Sequence, residues 1–345
     1  MKRLAIGLAL AIPAFSGDWN PRLAADYMDA RQKEWFAWPR ANTSGAPCMS
    51  CHTGMTYMLV RPELRRVLGE TQSTEYEQGY SRTLRARVEK TAPANPAALD
   101  GFGTDSVLAA LLLVNEDGPK LSAEGRKALD RMWATQMPDG GWPWYSLNDD
   151  PWEMPESRFF GAALAAVAAG TAPAEYRRPE AIARLARFLS HDESQPFQNR
   201  LLLLWASAKL PEVLQPARRN AIVQQARRSQ QADGSWTIAS LGPWHTDMHP
   251  QAPESKGNSA YATAFAAFML EQAGLTNSDP MLKRALDWLR SHQDPKGGYW
   301  DAVSMNKEYE AGSMMELFMR DAATGFASMA LLNAGHAHVD RSTRP

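Results

Sequence analysis

Three segments of this chain repeat one pattern, and that pattern constrains the fold more than any other feature of the sequence. In each copy an amphipathic helix ends near a Gln, a turn with Asp or Pro and Gly follows, and a Trp closes the unit. The copies read KALDRMWATQMPDGGW at 127–142, AIVQQARRSQQADGSW at 221–236 and ALDWLRSHQDPKGGYW at 285–300. Self-similarity at a spacing of tens of residues indicates supersecondary units that bury a continuous core only when they stack.

The positions that the three copies share have predicted structural roles. The glycine ends the helix because it readily adopts the left-handed conformation that other residues avoid. The glutamines at the helix ends are Gln136, Gln231 and Gln293. We expect their side-chain amides to hydrogen-bond to the frayed end of the next helix, and the closing tryptophans to pack over that junction.

The motifs QMPDGGW, QQADGSW and HQDPKGGYW resemble the QW repeats of squalene–hopene cyclases and of the wider prenyltransferase and squalene-oxidase repeat superfamily. The resemblance covers residues 100–335. It implies an α/α toroid in which the motifs tie the outer helices together. The DxDD motif with which those cyclases protonate their substrate is absent here. The nearest stretch is Asn148-Asp149-Asp150, which we expect to cap the helix that follows.

Apolar helices rich in small residues alternate with amphipathic helices that carry Arg and Lys, as expected for inner and outer helices. The predicted inner helices cover 104–115, 156–170, 196–209, 258–274 and 321–335. The predicted outer helices cover 123–135, 179–191, 216–229 and 279–291. One more inner helix would follow residue 52, with 63–90, broken near 71–74, as its outer partner. With 21–38 as the last outer helix, six inner and six outer helices predict an all-α fold, a closed (α/α)6 toroid of the terpenoid cyclase and protein prenyltransferase type over 17–335.

The stretch Cys48-Met49-Ser50-Cys51-His52 contains the only two cysteines of the 345 residues. CxxCH is the attachment signature of c-type haem, in which two thiols bind one porphyrin and the histidine becomes the proximal iron ligand. A redox dithiol or half of a zinc site would also use CxxC, but neither explains the adjacent histidine, and no third cysteine completes a zinc site. We therefore predict one covalent haem c per chain, bound by Cys48 and Cys51 with His52 on the iron.

The position of this motif predicts a haem embedded in the toroid rather than a separate cytochrome domain. A detachable domain would need roughly 80 residues and commonly a downstream Met as second axial ligand. No Met occurs between Met58 and Met132, which already belongs to the repeats. We expect the haem at the mouth of the first inner helix.

Residues 1–16 predict a secretory signal peptide. Lys2 and Arg3 precede a short apolar run that ends in small residues. The expected location is therefore periplasmic or otherwise exported, with no membrane span in the mature chain. At the other end of the sequence, residues 336–345 are expected to form a polar tail. The net charge of −1 and the lack of a basic block argue against nucleic acid as a partner.

The long loop LGPWHTDMHPQAPESKG at 241–257 should lie on the same rim as His52, because it follows a repeat and precedes an inner helix. Loops of this length inside a compact domain are often functional. His249 or His245 is a candidate distal iron ligand; if neither binds iron, His245, Asp247 and His249 are candidate catalytic groups that exchange protons with a substrate. A solvated loop with incidental histidines remains the alternative.

These features together predict an exported c-type haem protein that acts as an oxidoreductase on an apolar substrate, for example an isoprenoid, in the toroid cavity. Its redox partner would be another protein or a small oxidant. Two alternatives remain open at the level of sequence, since fold does not fix chemistry. One is a haem c electron carrier that uses the toroid as a scaffold. The other is a squalene-cyclase-like terpenoid-binding protein that lacks the DxDD acid motif.

Overall fold

The structure is a computed structural model that describes residues 19–42, 46–245, 257–305 and 307–342, with the backbone alone described for 336–342. The expected signal peptide and the loop residues Asp247, Met248 and His249 lie outside the described residues.

Helices account for most of the described chain. They are α1 Pro21–Ala37, α2 Gly54–Val67, α3 Glu75–Arg87, α4 Leu99–Asp117, α5 Ala123–Ala134, α6 Ser157–Thr171, α7 Pro179–Leu189, α8 Phe197–Lys209, α9 Pro216–Ser229, α10 Ala260–Gln272, α11 Pro280–Ser291 and α12 Phe318–Ser342. Short 3-10 turns cover Pro39–Ala41, Pro96–Ala98, Ala174–Tyr176, Pro211–Val213 and Ile238–Leu241. The strands of the described part, β1 Trp236–Thr237 and β2 Asn258–Ser259, pair antiparallel with Trp236 opposite Ser259. The all-α prediction is confirmed.

The even-numbered helices contact one another in a closed cycle, in the order α2, α4, α6, α8, α10, α12 and back to α2. The odd-numbered helices pack outside this cycle, and α1 contacts both α2 and α12, so the start of the described chain meets its end. Composition explains the division. α6 and α10 read SRFFGAALAAVAAGT and AYATAFAAFMLEQ, are buried on nearly every side, and offer small residues on which neighbouring helices pack.

The repeats join successive outer helices. The amide of Gln136 donates to the Ala181 carbonyl in the first turn of α7 at 3.0 Å. The amide of Gln293 donates at 3.0 Å to the carbonyl of Asn20, the residue that caps α1. The indoles of the repeats bond back to their own helices, as when Trp300 donates to the Leu289 carbonyl at 2.8 Å. The third repeat therefore closes the outer layer onto the first helix.

The expected role of Gln231 is wrong, because its neighbour Gln230 takes that position. The Gln230 side chain donates to the Met281 carbonyl in α11 at 2.8 Å, whereas the Gln231 side chain donates to the Ser229 carbonyl at the end of α9. In the first two copies the spacing to the closing tryptophan distinguishes the two glutamines. Gln230 lies 236 − 230 = 6 residues before its Trp, as Gln136 lies 142 − 136 = 6 residues before its own.

Two predicted boundaries are also wrong. Residues 63–90 are not one broken outer helix, because 63–67 form the last turn of the inner helix α2. Gly69, at φ 70°, ends that helix, and a reciprocal capping box between Thr74 and Glu77 starts α3. The last helix was expected to end at residue 335, but α12 continues to Ser342, so most of the expected polar tail is helical.

One helix of the described residues, Pro96–Asp117, has the length and hydropathy of a membrane span. Its apolar residues from Val107 to Val114 are all buried, and α4 packs against α5 and α6. A core helix of this kind passes the same test as a membrane span.

Candidate functional site

A cavity of about 910 Å³ opens where several inner helices begin. Cys48, Cys51 and His52 line it just before α2, and Phe318 lines it at the start of α12. Further walls come from the first turns of α4 and from the loop 149–153 before α6. The volume lies within the range of small-molecule and cofactor sites, about 300–1,000 Å³.

The ring of inner helices is filled below this cavity. Tyr261, Phe265 and Phe326 are each at most 1 % exposed, and Phe326 packs edge to face on both of the others, with 5.0 Å between the Phe265 and Phe326 centroids. A second, smaller cavity of about 170 Å³ lies between the far ends of the inner helices, lined by residues such as Asn115 and Lys209. A ligand of the main cavity would therefore sit on the rim of the ring rather than inside it.

The imidazole of His52 is held tightly at the floor of the main cavity. It is 6 % exposed and stacks on Phe318 with 3.7 Å between ring centroids. Trp35 and Trp152 pack against it with centroids at 5.5 and 5.7 Å. Burial, with Arg31 as a smaller influence, lowers the pKa of His52 to about 3. The ring is therefore neutral at pH 7.

A hydrogen-bond relay orients this ring. Nδ1 of His52 lies 2.7 Å from the Thr53 hydroxyl, which donates to Oδ2 of Asp321 at 2.7 Å. Because the hydroxyl proton goes to Asp321, the Thr53 oxygen accepts from His52, and the proton of the neutral imidazole sits on Nδ1. This tautomer leaves Nε2 with a free lone pair. Asp321 itself is fixed by Arg31 Nε at 2.8 Å and by Tyr27 Oη at 2.8 Å.

The two thiols are free of a disulfide bond, and their setting favours the protonated form. Cys51 is 4 % exposed, while Cys48 is exposed to the cavity. Burial raises the pKa of Cys48 to about 11, and burial likewise raises the pKa of Cys51. A redox-active dithiol depends on a lowered thiol pKa, so this environment disfavours that alternative.

Charged side chains form two further walls of the cavity. On one side Arg87 and Arg131 share the carboxylate of Asp105, each at 3.0 Å, and Arg87 also donates to the Pro47 carbonyl beside Cys48. On the other side lie Asp149, Asp150 and Glu153. The expectation that 148–150 cap α6 is wrong, since the N-cap residue of α6 is Glu156 and no side-chain cap bond forms there.

The acidic wall is held by the segment after the third repeat. Tyr309 Oη donates to Asp149 Oδ2 at 2.9 Å, and Lys307 Nζ lies 3.3 Å from Asp149 Oδ1. Sequence reasoning missed Glu153, Lys307 and Tyr309. The one available signal was the long stretch without a helical pattern between Trp300 and α12, since such loops are often functional.

His245 lies beside the acidic wall and is not among the residues that line the cavity. Its backbone N–H donates to Asp150 Oδ2 at 2.8 Å, its Nδ1 lies 3.3 Å from the same oxygen, and its Nε2 lies 3.6 Å from Glu156. The structure brings His245 to the rim as expected from the loop position. Its role, like those of Asp247 and His249, remains a prediction.

Comparison with known proteins relates the C-terminal part of the chain to cyclases. Residues 197–345 match the family model of the squalene–hopene cyclase C-terminal domain. A squalene–hopene cyclase of Bradyrhizobium diazoefficiens is 32% identical over 114 residues, which is 33% of this chain and 15% of that protein. A probable squalene–hopene cyclase of Sinorhizobium fredii is 31% identical over 110 residues, 32% of this chain and 14% of that protein.

The chain thus spans only about one seventh of the length of these curated relatives. Among solved structures, a polysaccharide lyase superposes with a TM-score of 0.52 at 13% identity, over 93% of this chain and 99% of the lyase. At that identity the likeness concerns the fold alone. The findings support a relationship to the cyclase and prenyltransferase-like superfamily, with an all-α architecture.

Proposed function

We propose that this chain is an exported c-type haem protein built on an (α/α)6 toroid, with one haem attached to Cys48 and Cys51. His52 would be the proximal ligand. The observation that carries the proposal is that all three side chains line one cavity of about 910 Å³, while His52 is neutral and keeps Nε2 free. The closed cycle of inner helices supports the toroid.

The surroundings of His52 fit iron ligation. Metal-binding histidines almost always donate their second ring N–H to a fixed acceptor, which sets the ring orientation and raises the basicity of the ligating nitrogen. Thr53 and Asp321 provide that acceptor here. A zinc site is less compatible, because the described residues contain no group of three or more His, Cys, Asp or Glu side chains arranged for a metal.

Each protein group has a definite task in this proposal. The bound haem would supply an iron centre for one-electron chemistry. Thr53 and Asp321 hold the Nδ1 proton and fix the plane of the His52 ring. Phe318 and Trp152 exclude water from that ring, which favours a stable iron–imidazole bond.

We propose an oxidoreductase activity on a small molecule that shares the cavity with the haem, with a protein partner or a small oxidant as the other redox partner. The walls combine aromatic faces, such as Trp38 and Phe102, with the acidic wall. An apolar substrate such as an isoprenoid would contact these aromatic faces. It would lie at the rim, since the interior of the ring of inner helices is filled. The oxygen-bearing end of such a molecule would meet the acidic wall.

One observation favours electron transfer as the second candidate. Trp35 lies 5.5 Å from His52 and 5.5 Å from Trp38, centroid to centroid, and Trp38 is only partly buried. This aromatic series leads from the haem motif towards the surface. An electron carrier would need such an aromatic path from its haem to the partner protein, and it would not need a substrate-binding cavity.

Two spectra test and separate these readings. Denatured protein in alkaline pyridine should show a c-type haemochrome that survives acid–acetone extraction, whereas extractable or absent haem would overturn both haem functions. Carbon monoxide binding to the reduced native protein should change its spectrum if the iron has an open position for catalysis. An unchanged spectrum would favour the carrier. His245→Ala and His249→Ala then show whether either histidine is the distal ligand.

A further inference from the structure

The acidic wall of the cavity consists of three carboxyl groups, those of Asp149, Asp150 and Glu153. Two of them already have strong partners. Asp149 accepts a hydrogen bond from Tyr309 and pairs with Lys307, and Asp150 accepts the backbone N–H of His245. In the part of the chain that the structure describes, no hydrogen bond or ion pair engages the carboxylate of Glu153. It is the acid of this wall that remains available to a ligand.

The backbone holds Glu153 in place. Its N–H donates to the Asp149 carbonyl at 2.9 Å, and its own carbonyl accepts the N–H groups of Leu147 at 2.7 Å and Asp149 at 3.3 Å. The preceding residue, Trp152, packs its ring on His52. The carboxyl group on this fixed loop lines the cavity next to the haem-attachment motif.

We propose that Glu153 is the proton donor of the cavity and gives its carboxyl proton to an oxygen atom of a ligand bound beside the CMSCH motif. The O–H bond of the carboxylic acid breaks, an O–H bond forms on the ligand, and water returns a proton to the carboxylate. The suitable ligand class is a small molecule whose oxygen gains negative charge as it reacts. The inference rests on the proposed function in so far as that ligand is the small oxidant, which the haem would reduce with electrons taken from its substrate or protein partner.

The electrostatic setting supports this role. Burial raises the pKa of Glu153 to about 7. The negative charge of Asp149 also raises this pKa, and the positive charge of Lys307 lowers it. A proton donor is most efficient when its pKa lies near the working pH, because both forms are then populated. The other titratable groups that face it are Cys48, Cys51, Tyr145 and Tyr309. The pKa of each of these four is raised, so they are uncharged at neutral pH and do not neutralise the Glu153 carboxylate.

The direct test follows the protonation of this side chain by infrared difference spectroscopy from about pH 5 to about pH 9, on either side of the expected midpoint. Wild-type protein should lose a protonated-carboxyl band with a midpoint near pH 7, and Glu153→Gln should lack that titrating band. Glu156→Gln is the matched control, since Glu156 is exposed and does not line the cavity. The same band in Glu153→Gln, or no titrating band near neutral pH in wild type, would overturn the proposal.

A second readout uses the protein with its covalent haem. The midpoint potential should fall with rising pH across the Glu153 titration in wild type and in Glu156→Gln, and should lose that dependence in Glu153→Gln. Glu153→Asp keeps an acid on the loop and should keep a pH-dependent potential with a shifted midpoint. An equal pH dependence in wild type and Glu153→Gln would refute the donor role. The infrared test does not need haem, so failure of haem attachment and failure of the Glu153 assignment are distinguishable.

Discussion

The relay between His52 and Asp321 gives a sharp prediction through the substitution Thr53→Val. Valine has nearly the shape of threonine but lacks the hydroxyl that accepts from His52 Nδ1 and donates to Asp321, each at 2.7 Å. All three residues are buried, at 6 % exposure for His52, 1 % for Thr53 and 4 % for Asp321. Water therefore has little access to the groups that the substitution leaves without a partner.

The cost follows from these two lost hydrogen bonds. A buried polar group left without a partner costs about 1–3 kcal/mol. Asp321 keeps Arg31 and Tyr27, so its share falls at the lower end, whereas the Nδ1–H of His52 loses its partner entirely. The expected loss in the free energy of unfolding is about 2–4 kcal/mol. No helix cap is lost, because the Thr53 side chain makes no capping bond to α2.

Denaturant unfolding at pH 7 measures this loss, with Thr53→Ser as the matched control that keeps the hydroxyl. The serine variant should lie within about 1 kcal/mol of wild type, the range of small volume changes in a core. If Thr53→Val unfolds at the wild-type denaturant concentration, or if serine is as destabilising as valine, then the relay does not hold His52.

Three further predictions concern the repeats and the acidic wall. Gln230→Ala should lower the free energy of unfolding by about 1–3 kcal/mol, because two backbone carbonyls lose their donor. Gln231→Ala should be nearly neutral, and equal losses in the two variants would contradict the assignment of Gln230 as the linking residue. Gly298→Ala should cost about 3 kcal/mol or more, since φ is 76° and a Cβ atom would lie 2.2 Å from a carbonyl oxygen of α1. Gly69→Ala, at φ 70° in open space, should cost only about 1–2 kcal/mol, and similar melting curves for the two variants would refute the clash. The raised pKa of Glu153 means that the folded chain binds more protons than the unfolded chain between pH 4.5, the usual pKa, and about pH 7. The contribution of Glu153 to the free energy of unfolding should therefore fall as the pH rises through that window. Glu153→Gln should remove this pH dependence in denaturant titrations, and an unchanged pH dependence would count against the raised pKa.

Much of the fold was predictable because each helix carries local signals. Apolar runs of small residues marked the inner helices, and Pro at the first position marked α7, α9 and α11. The errors arose where two local signals compete. Gln230 and Gln231 are both plausible at the helix end, and only the contact with the next outer helix distinguishes them. Near residue 70, an end and a start of two helices resembled a break in one helix.

The site was predictable only in its local part. The CMSCH motif is contiguous, so its residues could be named from the sequence alone. The partner that orients His52 is Asp321, 268 residues away from Thr53, and only the closed cycle of helices brings them together. Glu153 and Lys307 likewise come from separate loops that no local pattern connects.

Mass spectrometry of the mature protein shows whether Cys48 and Cys51 carry a haem. Protein exported by a host that attaches haem c should yield a peptide spanning residues 48–52 with the added mass of one porphyrin on its two cysteines. Cys48→Ser with Cys51→Ser should abolish that addition. A wild-type peptide with two unmodified thiols, from the same host, would show that the motif carries no haem.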